Sequence, residues 1–333
     1  MNLQKESIII SGIGSYAPKK VVTNDDLSQR MDTSDEWIRT RSGIRERHIA
    51  ASGESASDMA VEAALIAIKQ AKIAKEDIDL VIVGTMTPDL PFPSTASIIQ
   101  NKLGLRPVPA FDLSAACSGF VYMLETATQM LRGGHYKHAL IVGTEKFSSV
   151  LDWEDRRTCV LFGDAAGACV LSKSAQPHVG VIDNLLGSDG AYCGLLYMPA
   201  GGSSHPATHE TVEQREHFLR MNGKEIFKHA VKIMEKTILD LLERNQMTPA
   251  DVQLVVPHQA NIRIIEALAT RLEIPLEKVA INIDRYGNTS AASIPIALCE
   301  AYEQGRIQPG NHVVLVAFGA GLTWGGSLIR WHG

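Results

Sequence analysis

Three residues lie far apart in the chain, yet their side chains are of the types that act on a thioester together. Cys117 stands in DLSAACSGF, where Ser, Ala and Gly leave room around a sulfur. His258 follows a short apolar run in VVPHQANIRIIEAL, and Asn288 follows Gly287 in GNTSAASIP. A thiolate accepts an acyl group from a thioester. An imidazole takes a thiol proton or donates a hydrogen bond. A carboxamide is no base, but it donates to a developing oxyanion or enolate. Such a set needs no metal. Each residue also has a bland alternative: a satisfied buried cysteine, a helix cap and a turn asparagine. Only convergence in space decides for chemistry.

The surrounding patterns place all three on turns. VPAFDL reads as a strand, and GFVYMLETATQML reads as a helix with Phe120, Leu124, Ala127 and Leu131 on one face. Gly133 and Gly134 stop that helix. Cys117 therefore falls in a strand-to-helix turn, at the carboxyl end of a strand, where open α/β sheets bind ligands. A helix N-terminus contributes about 1 kcal/mol and lowers a thiol pKa by roughly one unit. From a starting value of ~8.5 the thiol stays mostly protonated at neutral pH, so it needs a partner. His258 lies between a strand and the helix carrying Ile262, Ile265 and Leu268, again at a strand carboxyl end.

An internal repeat links the three turns. Asp77 in EDIDLVIVGTMTP recurs as Asp251 in ADVQLVVPHQA, 174 residues later. Arg132 in RGGHYKHALIVG recurs as Arg306 in RIQPGNHVVLVA at the same offset of 174, with His138 falling on His312. The runs Leu80 to Val83, Ala139 to Val142, Leu254 to Val256 and Val313 to Val316 are short and continuously apolar, as parallel strands covered on both faces are. Each block reads as helix, strand, helix, strand, small-residue turn, helix, strand. The expectation is a duplicated α/β unit, residues 1–174 carrying Cys117 and residues 175–333 carrying His258 and Asn288. The second copy of the Cys117 turn is centred on Ala291, close to Asn288, so the three side chains share one edge of two matched sheets.

Composition narrows the function class. The 333 residues carry a net charge of -5, against the basic excess of a general nucleic-acid binder. Five cysteines without a C-x-x-C suggest neither a disulfide framework nor a zinc site, and a cytoplasmic setting fits. The opening MNLQKESIII is too short an apolar run for an export signal, and no stretch is long enough to span a bilayer. GIGSYA matches a dinucleotide fingerprint formally, but Pro18 forbids the helix that would hold pyrophosphate. His209, Glu213 and His217 are spaced for one helix face and read as solvated surface rather than metal ligands.

The quoted motifs, with TSDEWIRTRSGIRERHIA near the start and FGAGLTWGGSLIR near the end, resemble the β-ketoacyl-acyl-carrier-protein synthase III family almost end to end. The resemblance implies a thiolase-like five-layered αβαβα sandwich of two duplicated halves. It implies condensation of an acyl-CoA, typically acetyl-CoA, with malonyl-acyl-carrier protein, giving 3-oxoacyl-carrier protein, CO2 and CoA. Cys117 then carries the acyl group, and His258 with Asn288 holds the malonyl thioester carbonyl. The N–H groups of Cys117 and Ala320 form the oxyanion hole, where the family's usual three glycines read Gly319-Ala320-Gly321 here. Trp37, Arg41, Arg156 and Asn261 match CoA contacts, Arg41 within the basic run Arg39, Arg41, Arg45, Arg47. Arg263 matches a carrier-protein contact. Lys224 stands where the family commonly has Asn and is left unassigned. Phe92, Phe162 and Phe318 are assigned to the acyl pocket, Phe92 by crossing a homodimer interface. No cofactor or metal is implied, CoA thioester being a substrate. Two alternatives remain: a condensing enzyme of secondary metabolism on the same fold, and a papain-type Cys-His-Asn hydrolase.

Overall fold

The computed structural model describes residues 6–332, so the first five residues of MNLQKESIII lie outside it. Two sheets carry the protein. The first holds β1 (Ser7–Tyr16), β4 (Leu80–Gly84), β5 (Ala110–Leu113), β6 (His138–Glu145) and β7 (Ala165–Ser174), in the order β1-β7-β6-β4-β5. The second holds β8 (Gly180–Ser188), β11 (Leu254–Pro257), β12 (His312–Gly319) and β13 (Thr323–Arg330), in the order β11-β12-β13-β8. The four apolar runs pair in parallel, β4 with β6 and β11 with β12, while β7, β1, β13 and β8 extend both sheets antiparallel.

Helices α3 (Ala56–Ala71) and α4 (Thr95–Leu103) cover the outer face of the first sheet. Helices α7 (Gly223–Arg244) and α8 (Ile262–Arg271) cover that of the second. Between the sheets lie α5 (Gly119–Arg132) and α10 (Ser293–Glu303), which makes five layers. Strand periodicity explains why both faces are apolar. Leu80 and Ile82 point to the central helices, and Val81 and Val83 point to α3 and α4. In the other sheet Val313 and Leu315 face inward, Val314 and Val316 outward. The sequence-read face of α5 is fully buried, and Phe120 and Leu124 there contribute about 1.5–3 kcal/mol each.

The offset survives in three dimensions. β6 and β12 match residue for residue, and the 3-10 turns Ala116–Ser118 and Ser290–Ala292 both lead into a central helix. One expected strand is missing. The second-half counterpart of β5 is reduced to a single bridge, Val279 with Val255. The Gln259 carboxamide takes the place of a neighbouring strand there, donating to the Ala280 carbonyl at 3.0 Å and accepting from the Asn282 N–H at 3.0 Å.

A cap of smaller elements sits beside the turns: β2 (Lys20–Thr23) paired with β3 (Glu46–Ile49), α1 (Asn24–Ser28), α2 (Asp35–Ser42), β9 (Leu196–Tyr197) paired with β10 (Arg220–Met221), α6 (His209–Glu213) and α9 (Ile283–Tyr286). Its own core joins Val22, Leu27, Ile38, Phe147 and Phe162. Gly12 and Gly14 of GIGSYA serve packing: a Cβ at Gly12 would stand 2.1 Å from the Ala67 carbonyl oxygen of α3. Because α6 ends at Glu213, His217 shares no helix with His209, and among the described residues no His, Cys, Asp or Glu cluster is placed to hold a metal. Among the described residues no helix is long and apolar enough to cross a membrane.

Candidate active site

Cys117 is the middle residue of its 3-10 turn, entered through Ala116 at φ 47°. That left-handed conformation is costly for a residue with a Cβ and marks a turn fixed by its surroundings. The surroundings are the residues after β12. Ser118 Oγ donates to the Thr323 carbonyl at 3.1 Å, and Thr323 Oγ1 donates to the Ala115 and Ala320 carbonyls at 3.0 Å each. A Cβ at Gly319 would stand 2.8 Å from the Cys117 nitrogen, so glycine is what lets β12 approach this closely. A helix terminus alone would lower the thiol pKa; burial reverses that. It pushes Cys117 up to about 12, the Ser290 hydroxyl pulling back and the Glu145 carboxylate adding to the rise.

His258 follows β11, its N–H bonded to the Val316 carbonyl at 2.8 Å. Burial holds the imidazole's pKa down at about 3, so it is neutral at physiological pH. Its Nδ1 lies 2.6 Å from Ser293 Oγ. With the hydroxyl donating to Nδ1, the ring proton sits on Nε2, the donor a carbonyl oxygen requires. Asn288 is oriented by similar means. Its Oδ1 accepts from the Ser290 N–H at 2.9 Å, and its backbone bridges Phe162 from the first half. With the oxygen engaged, the amide NH2 is the free end, again a donor.

The three residues line one cavity of about 710 Å³. They are 5%, 3% and 7% exposed and so mark its buried end. Trp37, Arg41, Asn261 and Arg263 also line it, as do Lys224, left unassigned above, and Arg157 and Lys228, which the motifs did not single out. A cationic rim thus stands on a chain of net charge -5. Arg41 and Arg156 stack on Trp37, 4.7 and 5.2 Å from the ring centroid. A flat ring held between Trp37 and Arg156 needs about 7 Å, two contacts of ~3.5 Å, so this slot is closed. Asn261 caps α8 by accepting from the Arg263 N–H and ties it to the Arg41 carbonyl at 2.9 Å. The basic run divides. Only Arg41 faces the cavity, whereas Arg47 is fully buried and bonds the Val22 and Val160 carbonyls.

A second, smaller cavity of about 100 Å³ opens at Cys117 and is lined by Met86, Phe147, Phe162, Leu196, Ser290 and Ala320 among others. Phe162 lines both cavities and stacks on Phe147 at 4.7 Å. Phe318 lines the large cavity rather than the small one, its side chain lying with Val314 and Val316 on the outward face of β12. Phe92 is 84% exposed and lines neither. Sequence reasoning missed Ser293, which reads as one small residue among several, and Glu145, which reads as the polar end of an apolar strand.

Comparison with known proteins agrees with this geometry. Residues 111–190 match the family model described as 3-oxoacyl-[acyl-carrier-protein (ACP)] synthase III, and residues 242–331 match the model of its C-terminal part. The beta-ketoacyl-[acyl-carrier-protein] synthase III of Caldanaerobacter subterraneus subsp. tengcongensis is 51% identical over 322 residues, covering 97% of each chain. The crystal structure of 3-oxoacyl-[acyl-carrier-protein] synthase III from Aquifex aeolicus superposes with a TM-score of 0.90 at 46% identity, covering 98% of this chain and 100% of that one. The priming β-ketosynthase of the R1128 polyketide pathway gives a TM-score of 0.91 at 35% identity, over 99% and 97%. The chain belongs to the 3-oxoacyl-[acyl-carrier-protein] synthase III family and is a condensing acyltransferase of fatty acid biosynthesis.

Proposed function

We propose that the protein condenses a short acyl-CoA primer with malonyl-acyl-carrier protein, with Cys117 as nucleophile. The observation that carries this is the single cavity with Cys117, His258 and Asn288 at its buried end and cations at its rim. Cys117 Sγ attacks the primer thioester carbonyl, and the N–H groups of Cys117 and Ala320 receive the oxyanion. CoA leaves, and the acyl group occupies the small cavity. Its volume of about 100 Å³ is below the ~150 Å³ that admits benzene, which favours acetyl over long primers.

Malonyl thioester then enters. The neutral Nε2–H of His258 and the NH2 of Asn288 donate to its carbonyl oxygen, so that loss of CO2 leaves a stabilised enolate. The enolate carbon attacks the acyl-Cys117 carbonyl and expels the Cys117 sulfur. Trp37, Arg41 and Arg156 receive the nucleotide end of CoA, with Arg156 swinging off Trp37, and Asn261 meets the pantetheine arm. Arg263 meets the acidic carrier protein, and the exposed Phe92 packs into a second copy of the chain.

Mixing enzyme with labelled acetyl-CoA alone tests the reading. One acetyl group retained per chain on the peptide containing Cys117 supports condensation; continuous hydrolysis without a retained group points to the hydrolase instead. The likeness to the R1128 priming enzyme supports a second reading, that the same chemistry primes a specialised pathway. Comparing turnover with a fatty-acid carrier protein and a polyketide carrier protein separates the two.

A further inference from the structure

Acyl transfer to Cys117 needs somewhere for the thiol proton to go, and His258 is poorly suited to take it. Its Nδ1 is tied to Ser293 and its ring is held neutral by burial. Among the described residues one charged group bears on the thiol: Glu145, the last residue of β6, with no exposed surface. One side of that carboxylate is fixed. Oε2 accepts from the Met86 N–H at 3.0 Å and from Thr87 Oγ1 at 2.9 Å, with Thr85 Oγ1 at 3.4 Å. The other oxygen, Oε1, is buried and, among the described residues, makes no close hydrogen bond, the Ser290 hydroxyl being the group that bears on the carboxylate from outside its fixed side.

Ser290 Oγ, beside Cys117 in the small cavity, is a second buried polar atom that makes no close hydrogen bond among the described residues. The turn Ser290–Ala292 packs against both β6 and the Cys117 turn, and the Ser290 hydroxyl pulls down the pKa of the thiol and of the carboxyl alike. Ser290 has φ 48°, so the backbone holds a strained conformation at this hydroxyl. Two buried polar atoms that fall short of a full hydrogen bond are costly unless they serve a purpose.

We propose that Glu145, acting through the Ser290 hydroxyl, stores the Cys117 proton between the two half-reactions. This rests on Cys117 being the nucleophile. As sulfur bonds to the primer carbonyl, its proton passes to Ser290 Oγ while the Ser290 proton passes to Glu145 Oε1. The tetrahedral intermediate expels CoA as thiolate, which takes a proton from solvent. The acyl group fills the small cavity lined by Met86, Cys117 and Ser290, closing the neutral carboxyl off from water. The malonyl carboxylate then leaves as CO2, and the enolate forms beside a neutral carboxyl rather than a second anion. When the carbon–carbon bond forms and Cys117 sulfur is expelled, the proton returns by the same path and Glu145 is a carboxylate again. Burial places the Glu145 pKa at about 7, where either form is accessible.

Stopped-flow acylation with acetyl-CoA, in weak buffer with a pH indicator and above neutral pH, reads the store directly. The expected result is uptake of close to one proton per acetyl group bound, as CoA thiol is released. Glu145→Gln keeps the acceptor for Met86 and Thr87 but cannot store a proton. It should abolish the uptake and slow acylation about 100-fold, the low end for a lost proton acceptor. Ser290→Ala should do the same with the carboxylate still in place. Wild-type acylation on Cys117 without uptake overturns the store alone, as does uptake that persists in Glu145→Gln. An acetyl group found by peptide mapping on another residue overturns the nucleophile and the store together.

Discussion

The turns Ala116–Ser118 and Ser290–Ala292 are the same piece of backbone used twice, with φ 47° at Ala116 and 48° at Ser290. What they carry differs. Cys117 corresponds to Ala291, His258 to Gly84, Asn288 to Ser114, and Glu145 to Gly319, each pair 174 residues apart. In every pair one half supplies a reactive group and the other a small residue. Gly319 makes room for the Cys117 turn, and Ala291 lies so close to β6 that its carbonyl oxygen would be 2.3 Å from a Cβ at Gly143. Two matched strand ends face one cavity, and the proposed chemistry rests on their being unlike. The connections differ too. Residues 146–164 between β6 and β7 bring Phe147, Arg157 and Phe162 to the cavities and Arg156 onto Trp37, whereas residues 320–322 between β12 and β13 are a short turn that brings Ala320 to the small cavity and Leu322 to the large one.

Restoring the symmetry at the nucleophile is the strongest way to break this contrast. Cys117→Ala makes the first turn match Ala291 and should fold as the second turn does. Acyl-enzyme should vanish from the intact mass spectrum and condensation should fall at least about 10⁴-fold. Malonyl decarboxylation should persist, since His258 and Asn288 remain. An alanine variant that still retained an acyl group at residue 117 is chemically impossible, so a retained group elsewhere would show that the wrong sulfur had been chosen.

Removing the second half's contribution should do the reverse. His258→Ala and Asn288→Ala should each lower malonyl decarboxylation about 10²–10³-fold, the usual loss for one oxyanion donor, while acylation of Cys117 continues. Normal decarboxylation in His258→Ala would remove it from the mechanism. The pH dependence sharpens the point. The folded pKa of about 3 lies below the ordinary 6.5, so the folded state binds fewer protons than the unfolded one between these values. Stability from this group is therefore complete above 6.5 and lost as pH falls towards 3. Decarboxylation should show no inflection near 6.5 that belongs to His258, whereas thermal stability should decline below it.

The meeting of Cys117, His258 and Asn288 in one cavity was legible because repeat and motif point to the same turns. Their supports were not. Glu145 ends HALIVGTE, where a polar residue ordinarily meets solvent; residues 85–87 of the first half and the second half's turn Ser290–Ala292, packed over β6, bury it. Gln259 substitutes for a strand by hydrogen bonds that no periodicity records. The basic run divides because its period changes: α2 ends at Ser42, and Arg47 then lies in β3 and turns inward.

Gly319→Ala tests the close approach between the halves without touching a reactive group. The added methyl would meet the Cys117 nitrogen at 2.8 Å, so the turn or β12 must shift. Overpacking of this kind costs about 1–3 kcal/mol. The melting temperature should drop and acylation should slow about tenfold, with decarboxylation less affected because His258 is held by β11. Equal losses in both half-reactions would mean that the displacement spreads through the whole site.

The smallest effects belong at the rim, where the halves contribute alike. Arg41 comes from the first and Lys224 and Arg263 from the second, all exposed and, among the described residues, without an ion-pair partner. Exposed charges of this kind are worth about 0.2–1 kcal/mol, so each loss should raise a KM by roughly 1.4–5-fold and leave kcat alone. Lys224→Ala should act on acyl-CoA and Arg263→Ala on the malonyl carrier protein. Both effects should fade as salt shortens the Debye length from about 10 Å at 0.1 M towards 3 Å at 1 M. A kcat that falls with Arg263→Ala, independent of salt, would move that arginine from the rim into the chemistry and make the second half's share of the site larger than its two donors.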